Sequence, residues 1–268
     1  KKELVMTQTV YTELEIDSLG VATLWLNRPE KFNALNAEFI AELSAKFKEI
    51  NEKEEIRLFV LRARGKNFCA GADIEWMKAS ANLSYEENLT DAKYLADMLW
   101  ALNYIKVPTL VITHGAAYGG AVGLIACCDM AIAIDDSKIC LSEVNIGLIP
   151  ATIGPYVQQT IGYKNSLYYS MTAEVIDAHL AAKIGLVQKV FSANQADSLV
   201  DQFIQNLLKK GPKAQQACKE LFNKIHGSEF DADLKRYTEE MIAIRRTSDE
   251  GQDGLQAFLT KTKPHWIN

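Results

Sequence analysis

The feature that most constrains this chain is a repeated order, a short unbroken apolar run followed by a loop of small residues, the second time with a helix to about Cys128 behind it. Leu58-Phe59-Val60-Leu61 precedes Cys69-Ala70-Gly71-Ala72-Asp73, and Leu110-Val111-Ile112-Thr113 precedes His114-Gly115-Ala116-Ala117-Tyr118-Gly119-Gly120. Met130 to Ile134 and Ile139-Cys140-Leu141-Ser142-Glu143 read as a third and a fourth strand. Strands that are apolar on both faces belong to sheets covered on both sides, so the fold class is α/β. Ahead of them, Val10 to Ile16 alternates with period two, Asp17-Ser18-Leu19-Gly20 turns, and Val21 to Leu26 returns as a hairpin. Asn36 is a helix N-cap in front of Phe39, Leu43, Phe47 and Ile50, whose spacing predicts an amphipathic helix to about Asn51. After Gly162 helical periodicity dominates in 195–209, 213–225 and 230–246, broken at Gly211-Pro212. This divides the chain into a core over 6–190 and a helical C-terminal region over 191–268.

Charge and cysteine use remove several function classes. Twenty-nine Lys and Arg against 34 acids leave a net charge of -5, not the basic surface of a nucleic-acid binder. The most basic helical stretch, Lys46 to Arg57, alternates with Glu49, Glu52, Glu54 and Glu55 and reads as a solvated face. No apolar run reaches the ~18 residues of a membrane span; Gly119 to Ile134 is interrupted by Asp129. The opening Lys1-Lys2-Glu3-Leu4 carries no secretory-signal pattern. Five cysteines, with Cys127 and Cys128 adjacent, make a poor disulfide framework and point to a reducing, cytoplasmic compartment. The four histidines lack ligand spacing, there is no C-x-x-C, and no metal site is expected. Cys69 and Cys127, among apolar and small residues, read as buried packing rather than nucleophiles.

Three features could carry chemistry. The loops 68–73 and 115–121 present backbone N–H groups without bulky side chains, and Gly119-Gly120 opens a helix whose dipole favours negative charge. Two such donors converging would form an oxyanion hole, where one donor is worth ~3 kcal/mol in a transition state. Tight turns account for the same composition. Glu143, flanked by apolar residues, would have its pKa raised by desolvation toward the range useful for proton transfer. A partly exposed strand-end Glu accounts equally for that local pattern.

Together these segments resemble a known family. Asn27-Arg28-Pro29-Glu30-Lys31-Phe32-Asn33-Ala34-Leu35 is similar to the N-R-P-x-x-x-N-A-L opening of the crotonase (enoyl-CoA hydratase/isomerase) superfamily, and Phe68-Cys69-Ala70-Gly71-Ala72-Asp73 to its F-x-A-G-A-D loop. His114 to Asp129, Ser142-Glu143, Ile146 to Pro150, Asp177-Ala178 through Val187, Ser248-Asp249-Glu250-Gly251 and Lys263-Pro264 follow in the family's order. The resemblance implies a crotonase-like ββα spiral core with a C-terminal helical trimerisation region, a homotrimer or a hexamer built as a dimer of trimers. It implies an acyl-CoA thioester substrate and no separate cofactor, coenzyme A being part of the substrate. The oxyanion hole carried over falls on the N–H groups of Ala72 and Gly120, with Glu143 as acid/base. Arg28, Lys31, Ala70, Asp73, Ile74 and Lys261 take the places that contact CoA, and Tyr118 and Asn145 lie near the acyl site.

One departure bears on the reaction. Two-carboxylate hydratases of the family carry a first Glu about twenty residues before the second. Here that place holds Gly123. One-Glu relatives include Δ3-Δ2 enoyl-CoA isomerases and hydratases of branched, carboxylated enoyl-CoAs. The wording of 69–77, 119–129 and 141–157 is most similar to bacterial methylglutaconyl-CoA hydratases and to isohexenylglutaconyl-CoA hydratases. This implies addition of water across the C2=C3 bond of 3-methylglutaconyl-CoA to give 3-hydroxy-3-methylglutaryl-CoA, a step of leucine degradation. On that reading Gly123 is a substrate-binding position that leaves room for the branch and avoids a repelling charge. A non-catalytic CoA- or RNA-binding homologue is the alternative from another class.

Overall fold

The structure, a computed structural model, describes residues 5–8 and 10–267. Strands β1 (Val5–Gln8), β2 (Thr12–Ile16) and β3 (Val21–Leu26) form an antiparallel meander. The β2–β3 turn closes on Asp17, whose Oδ1 accepts the N–H groups of Leu19 and Val21. Helix α1 (Ala37–Glu52) begins where expected, with the Asn36 side chain accepting the N–H of Phe39. Its Phe39, Leu43, Phe47 and Ile50 are buried, and Phe47 meets Phe59 edge-on at 5.9 Å. Each such side chain stabilises the fold by roughly 1.5–3 kcal/mol.

The alternation then continues as β4 (Leu58–Ala63), α2 (Ile74–Ser80), α3 (Tyr85–Asn103), β5 (Thr109–Thr113), β6 (Ala116–Tyr118), α4 (Gly120–Cys127), β7 (Met130–Ile134) and β8 (Lys138–Cys140). It closes with α5 (Gly154–Thr172), β9 (Ile176–Asp177), α6 (Ala178–Lys183) and β10 (Lys189–Phe191). One sheet runs β1-β2-β3-β4-β5-β7-β10, parallel from β3 onward. The other is β6-β8-β9. Leu58 to Leu61 and Leu110 to Ile112 are buried, as a sheet covered on both faces requires.

Two features differ from the sequence reading. The fourth apolar run stops as a strand at Cys140, and Glu143 opens a 3₁₀ turn, Glu143–Ile146, closed by Gly147 at φ +77°. Helices α2, α3 and α5 were not expected, because polar residues interrupt their apolar stripes.

By compactness, the described residues up to 105 together with 109–196 make one unit, and 106–108 with the described residues from 197 on another. The second carries α7 (Ala196–Leu208) from residue 197 on, α8 (Pro212–Ile225), α9 (Ala232–Thr247) and α10 (Asp249–Thr260). The Ser248-Asp249-Glu250-Gly251 run forms a corner within this unit. Ser248 caps α10 by accepting the Gly251 N–H, while the Glu250 carboxylate takes the N–H groups of Lys213 and Ala214 at the start of α8. A Cβ at Gly251 would lie 1.9 Å from the Arg245 carbonyl oxygen, so only glycine fits. No described helix is long and apolar enough to cross a membrane.

Candidate active site

The loop after β4 reaches the site through two backbone ladders. Cys69 pairs with Ala117, and Leu35 with Ala72. The Leu35 N–H donates to the Gly71 carbonyl, and the Asp73 N–H donates to the Leu35 carbonyl, both at 2.8 Å. Those bonds turn residues 71 and 73 toward Leu35 and leave the Ala72 N–H on the other side of the loop. Gly71 sits at φ +102°, and a Cβ there would press on the Tyr118 carbonyl oxygen at 3.2 Å. Glycine is what lets the two loops approach.

The second loop turns at Gly119, φ 55° and ψ -122°, whose N–H donates to the Cys140 carbonyl at 2.9 Å. Gly120 is the first residue of α4, where an N–H has no intrahelical partner. Among the described residues, neither the Ala72 nor the Gly120 N–H donates to a protein acceptor. Both residues line one cavity of about 480 Å³.

Glu143 stands on the wall of that cavity. The 3₁₀ turn presents it, because the N–H of Leu148 donates to the Glu143 carbonyl oxygen and holds the turn closed. A Cβ on Gly119 would stand 3.4 Å from Glu143 Oε1, so the bare glycine lets the carboxylate lie against the loop. Its Oε2 is buried without a hydrogen-bond partner. Burial pushes the carboxyl above the ordinary Glu value, partly offset by its own backbone N–H. A carboxylate so placed binds a proton more tightly than a solvated one, and two unpaired N–H groups share its cavity. That arrangement suits removal of a proton beside a carbonyl, with the resulting oxyanion held by backbone donors.

The remaining candidates separate. Ala70 and Asn145 line the cavity with Ala72, Gly120 and Glu143. Tyr118 does not line it; its backbone ties the loops together, the N–H donating to the Cys69 carbonyl. Lys31 is exposed, Ile74 is 65% exposed at the start of α2, and Lys261 caps α10 in the second unit at φ 56°.

Arg28 and Asp73, expected at CoA, are bonded to each other: Arg28 Nη1 donates to Asp73 Oδ2 at 2.7 Å and to the Ala34 carbonyl at 3.0 Å. Its guanidinium also lies 5.4 Å from the Tyr11 ring centroid. Asp73 Oδ1 caps α2 through the N–H groups of Glu75 and Trp76. Burial pushes the Asp73 carboxyl up, but the Glu75 N–H, the Arg28 side chain and the Trp76 N–H together outweigh it and bring the group below the ordinary Asp value. Asn33, buried at φ 54°, accepts the Arg28 N–H and donates to the carbonyls of Arg64 and Asn67. The N-R-P-x-x-x-N-A-L segment is therefore a clamp on the loop that carries Ala72.

Gly123, expected to leave room at the acyl site, does not line the cavity, and a Cβ there would lie 2.3 Å from Ile153 Cγ2 and 3.1 Å from Leu99 Cδ2. The expected room is filled by Ile153, which itself faces the cavity. Gly123 is the contact point at which α3, α4 and the N-cap of α5 converge. Burial pushes the Cys69 thiol up to about 12, in keeping with a packing role.

The sequence reading missed one wall. Trp76, Met77 and Ser80 of α2 and Asn88, Asp91, Ala92 and Leu95 of α3 line the cavity. The signal was the 3–4 spacing of 88, 91, 92, 95, 98, 99 and 102, hidden because its first two members are polar.

Residues 17–268 match the enoyl-CoA hydratase/isomerase family. The chain belongs to that family. An enoyl-CoA hydratase from Shewanella pealeana superposes with a TM-score of 0.92 at 37% identity, covering 97% of each chain. Among curated relatives of this family, a crotonyl-CoA hydratase of Syntrophomonas wolfei is 29% identical over 92% of this chain and 95% of its own. A trans-2-decenoyl-[acyl-carrier-protein] isomerase of Streptococcus mutans is 26% identical over 91% of this chain and 94% of its own. Hydratases and isomerases thus both stand among the family members similar to this chain, and its α/β crotonase fold is that of the solved structures it superposes on.

Proposed function

We propose that this hydratase/isomerase family enzyme acts on an enoyl-CoA with Glu143 as its single acid/base and the N–H groups of Ala72 and Gly120 as its oxyanion hole. The observation that carries the proposal is the half-buried Glu143 carboxylate, its Oε2 buried without a partner, in one cavity with both free N–H groups. Among the described residues lining that cavity, Asp91 is the other ionisable side chain. In isomerisation Glu143 removes a proton from C2 of a 3-enoyl thioester. The C–H electron pair moves toward the thioester oxygen, forming a dienolate held by the two N–H groups, and Glu143 returns the proton at C4. In hydration Glu143 takes a proton from water as the water oxygen bonds C3, the C2=C3 pair moves toward the thioester oxygen, and the same proton is delivered to C2. One carboxylate suffices for either sequence, and both balance.

Of the acyl groups, a neutral, mainly apolar one is favoured. No Lys, Arg or His lines the cavity among the described residues, and Asp91 would face any carboxylate brought in. Hydration of 3-methylglutaconyl-CoA keeps the support of the motif wording and of the absent first Glu. It lacks a cation on the cavity wall. Ala70, Lys31, Ile74 and Lys261 remain the proposed CoA contacts, and trimeric assembly through the helical region the proposed state, to be checked by light scattering.

The test is turnover by purified wild type and Glu143→Gln on crotonyl-CoA, 3-hexenoyl-CoA and 3-methylglutaconyl-CoA, in light and heavy water. Glu143-dependent loss of a neutral substrate supports the proposal, and the product says which sequence operates. Turnover confined to the carboxylated thioester refutes the neutral-substrate reading. Turnover insensitive to Glu143→Gln refutes its role.

A further inference from the structure

Helix α3 lays one continuous stripe along its length. At Leu95, Met98, Leu99 and Leu102 the stripe is apolar, and the last three are buried. Asn88 and Asp91 interrupt it where it leaves the core and becomes cavity wall. Asp91 is half-buried, and no described side chain offers it a hydrogen bond or a cation. Its helix neighbours are engaged elsewhere, Glu87 with the Ser84 N–H and Lys93 with Asp97.

The other polar side chains beside it have used their donors. Asn88 Nδ2 donates to the carbonyls of Leu83 and Ser84 at 3.1 and 3.0 Å, which leaves its Oδ1. Ser80 Oγ donates to the Met77 carbonyl at 2.9 Å, which leaves its lone pairs. Apart from the Trp76 indole, the polar side chains that α2 and α3 turn to the cavity are therefore hydrogen-bond acceptors, one of them a full negative charge. Such a wall matches a donor and repels an anion.

We propose that Asp91, with Asn88 and Ser80, is a specificity-determining patch that accepts an acyl chain bearing a hydroxyl group and excludes one bearing a carboxylate. This rests on the reading of the cavity as the acyl site. It goes further by assigning the discrimination to α3 rather than to the position of the missing Glu.

The experiment measures binding, so it does not depend on which reaction is catalysed. Hexanoyl-CoA, 6-hydroxyhexanoyl-CoA and adipoyl-CoA are titrated calorimetrically into the full chain as wild type, Asp91→Asn and Asp91→Leu, with folding checked by circular dichroism. For the wild type, adipoyl-CoA binds at least about tenfold more weakly than hexanoyl-CoA, and the hydroxylated thioester binds more tightly than either. Both variants shrink the adipoyl-to-hexanoyl ratio by about fivefold or more, and Asp91→Leu also removes the preference for the hydroxyl. Ratios equal in all three proteins while hexanoyl-CoA binds overturn the inference and leave the acyl-CoA reading standing. No binding of any thioester to the wild type overturns the acyl-CoA reading itself.

Discussion

Gly123→Ala places a methyl group at the convergence of α3, α4 and the start of α5. Its Cβ would stand 2.3 Å from Ile153 Cγ2, 3.0 Å from Ile153 Cβ and 3.1 Å from Leu99 Cδ2. Favourable carbon contacts lie at ~3.5–4.0 Å, so the overlap with Ile153 exceeds an ångström. Ile153 is 1% exposed, and its Cγ2 is fixed next to the backbone of a β-branched residue, so it has little room to yield. Overpacking of this kind costs ~1–3 kcal/mol, and the severity of the overlap puts it in the upper half of that range. Replacing a helical glycine by alanine returns ~1 kcal/mol. The net expectation is a loss of about 1–2 kcal/mol. Ile153→Ala alone should cost ~2–5 kcal/mol through the cavity it leaves. In the double variant the new methyl occupies part of that cavity, so the combined loss should fall short of the sum by at least ~1 kcal/mol. Urea unfolding at one fixed protein concentration reads all four proteins. A Gly123→Ala variant as stable as wild type, or a double variant additive within ~0.5 kcal/mol, would refute the packing argument. On the same geometry Gly123→Glu should unfold the region rather than switch its substrate.

Glu143→Gln should lower kcat/KM by at least ~100-fold, and the acidic limb of the wild-type pH profile should have its midpoint above 4.5, the ordinary Glu value. Because the folded pKa is raised, the folded state binds the proton more tightly than the unfolded chain, and stability falls as pH rises from the ordinary value through the folded one. Glu143→Gln removes that fall, so the variant should be the more stable protein at neutral pH by denaturant titration. Asp73→Asn keeps the helix cap but leaves the Arg28 guanidinium, 12% exposed, without its anion. A loss of about 3 kcal/mol is expected, with partial recovery in Arg28→Met/Asp73→Asn. The Asp73 pKa is depressed, so its contribution is fully present above 3.8 and disappears as pH falls through the folded value, which acid titration of wild type and variant compares. Gly119→Ala forces φ 55°, ψ -122° on a residue with a side chain and sets a methyl against the Glu143 carboxylate. It should cost ~1–3 kcal/mol by thermal unfolding and depress turnover beyond what its stability explains.

What could be read from the chain was whatever local chemistry decides. The apolar runs 58–61, 110–113 and 130–134 are strands because nothing in them tolerates water on either face. Helix α1 starts at Asn36 because a side-chain oxygen two or three residues ahead of free N–H groups satisfies them wherever it occurs. The two small-residue loops and Glu143 stood out for the same reason. Their backbone angles and the apolar flanks of the carboxylate are properties of adjacent residues.

What needed the tertiary structure depends on which distant segments meet. Arg28 reads as a loose cation until Asp73, 45 positions on, is found against it. Gly123 reads as room until Ile153 is found filling it. The α3 wall of the cavity was hidden because its polar residues break the periodicity that announces a helix, and they are polar because they face a cavity rather than a core. The sequence by itself determined the strands, the cap of α1, the two small-residue loops and the apolar setting of Glu143, through interactions a few residues long. The tertiary structure decided which charges are already paired, which gaps are already filled and which side chains the cavity presents, since those follow from contacts made only when the sheet, α3 and the start of α5 have closed on one another.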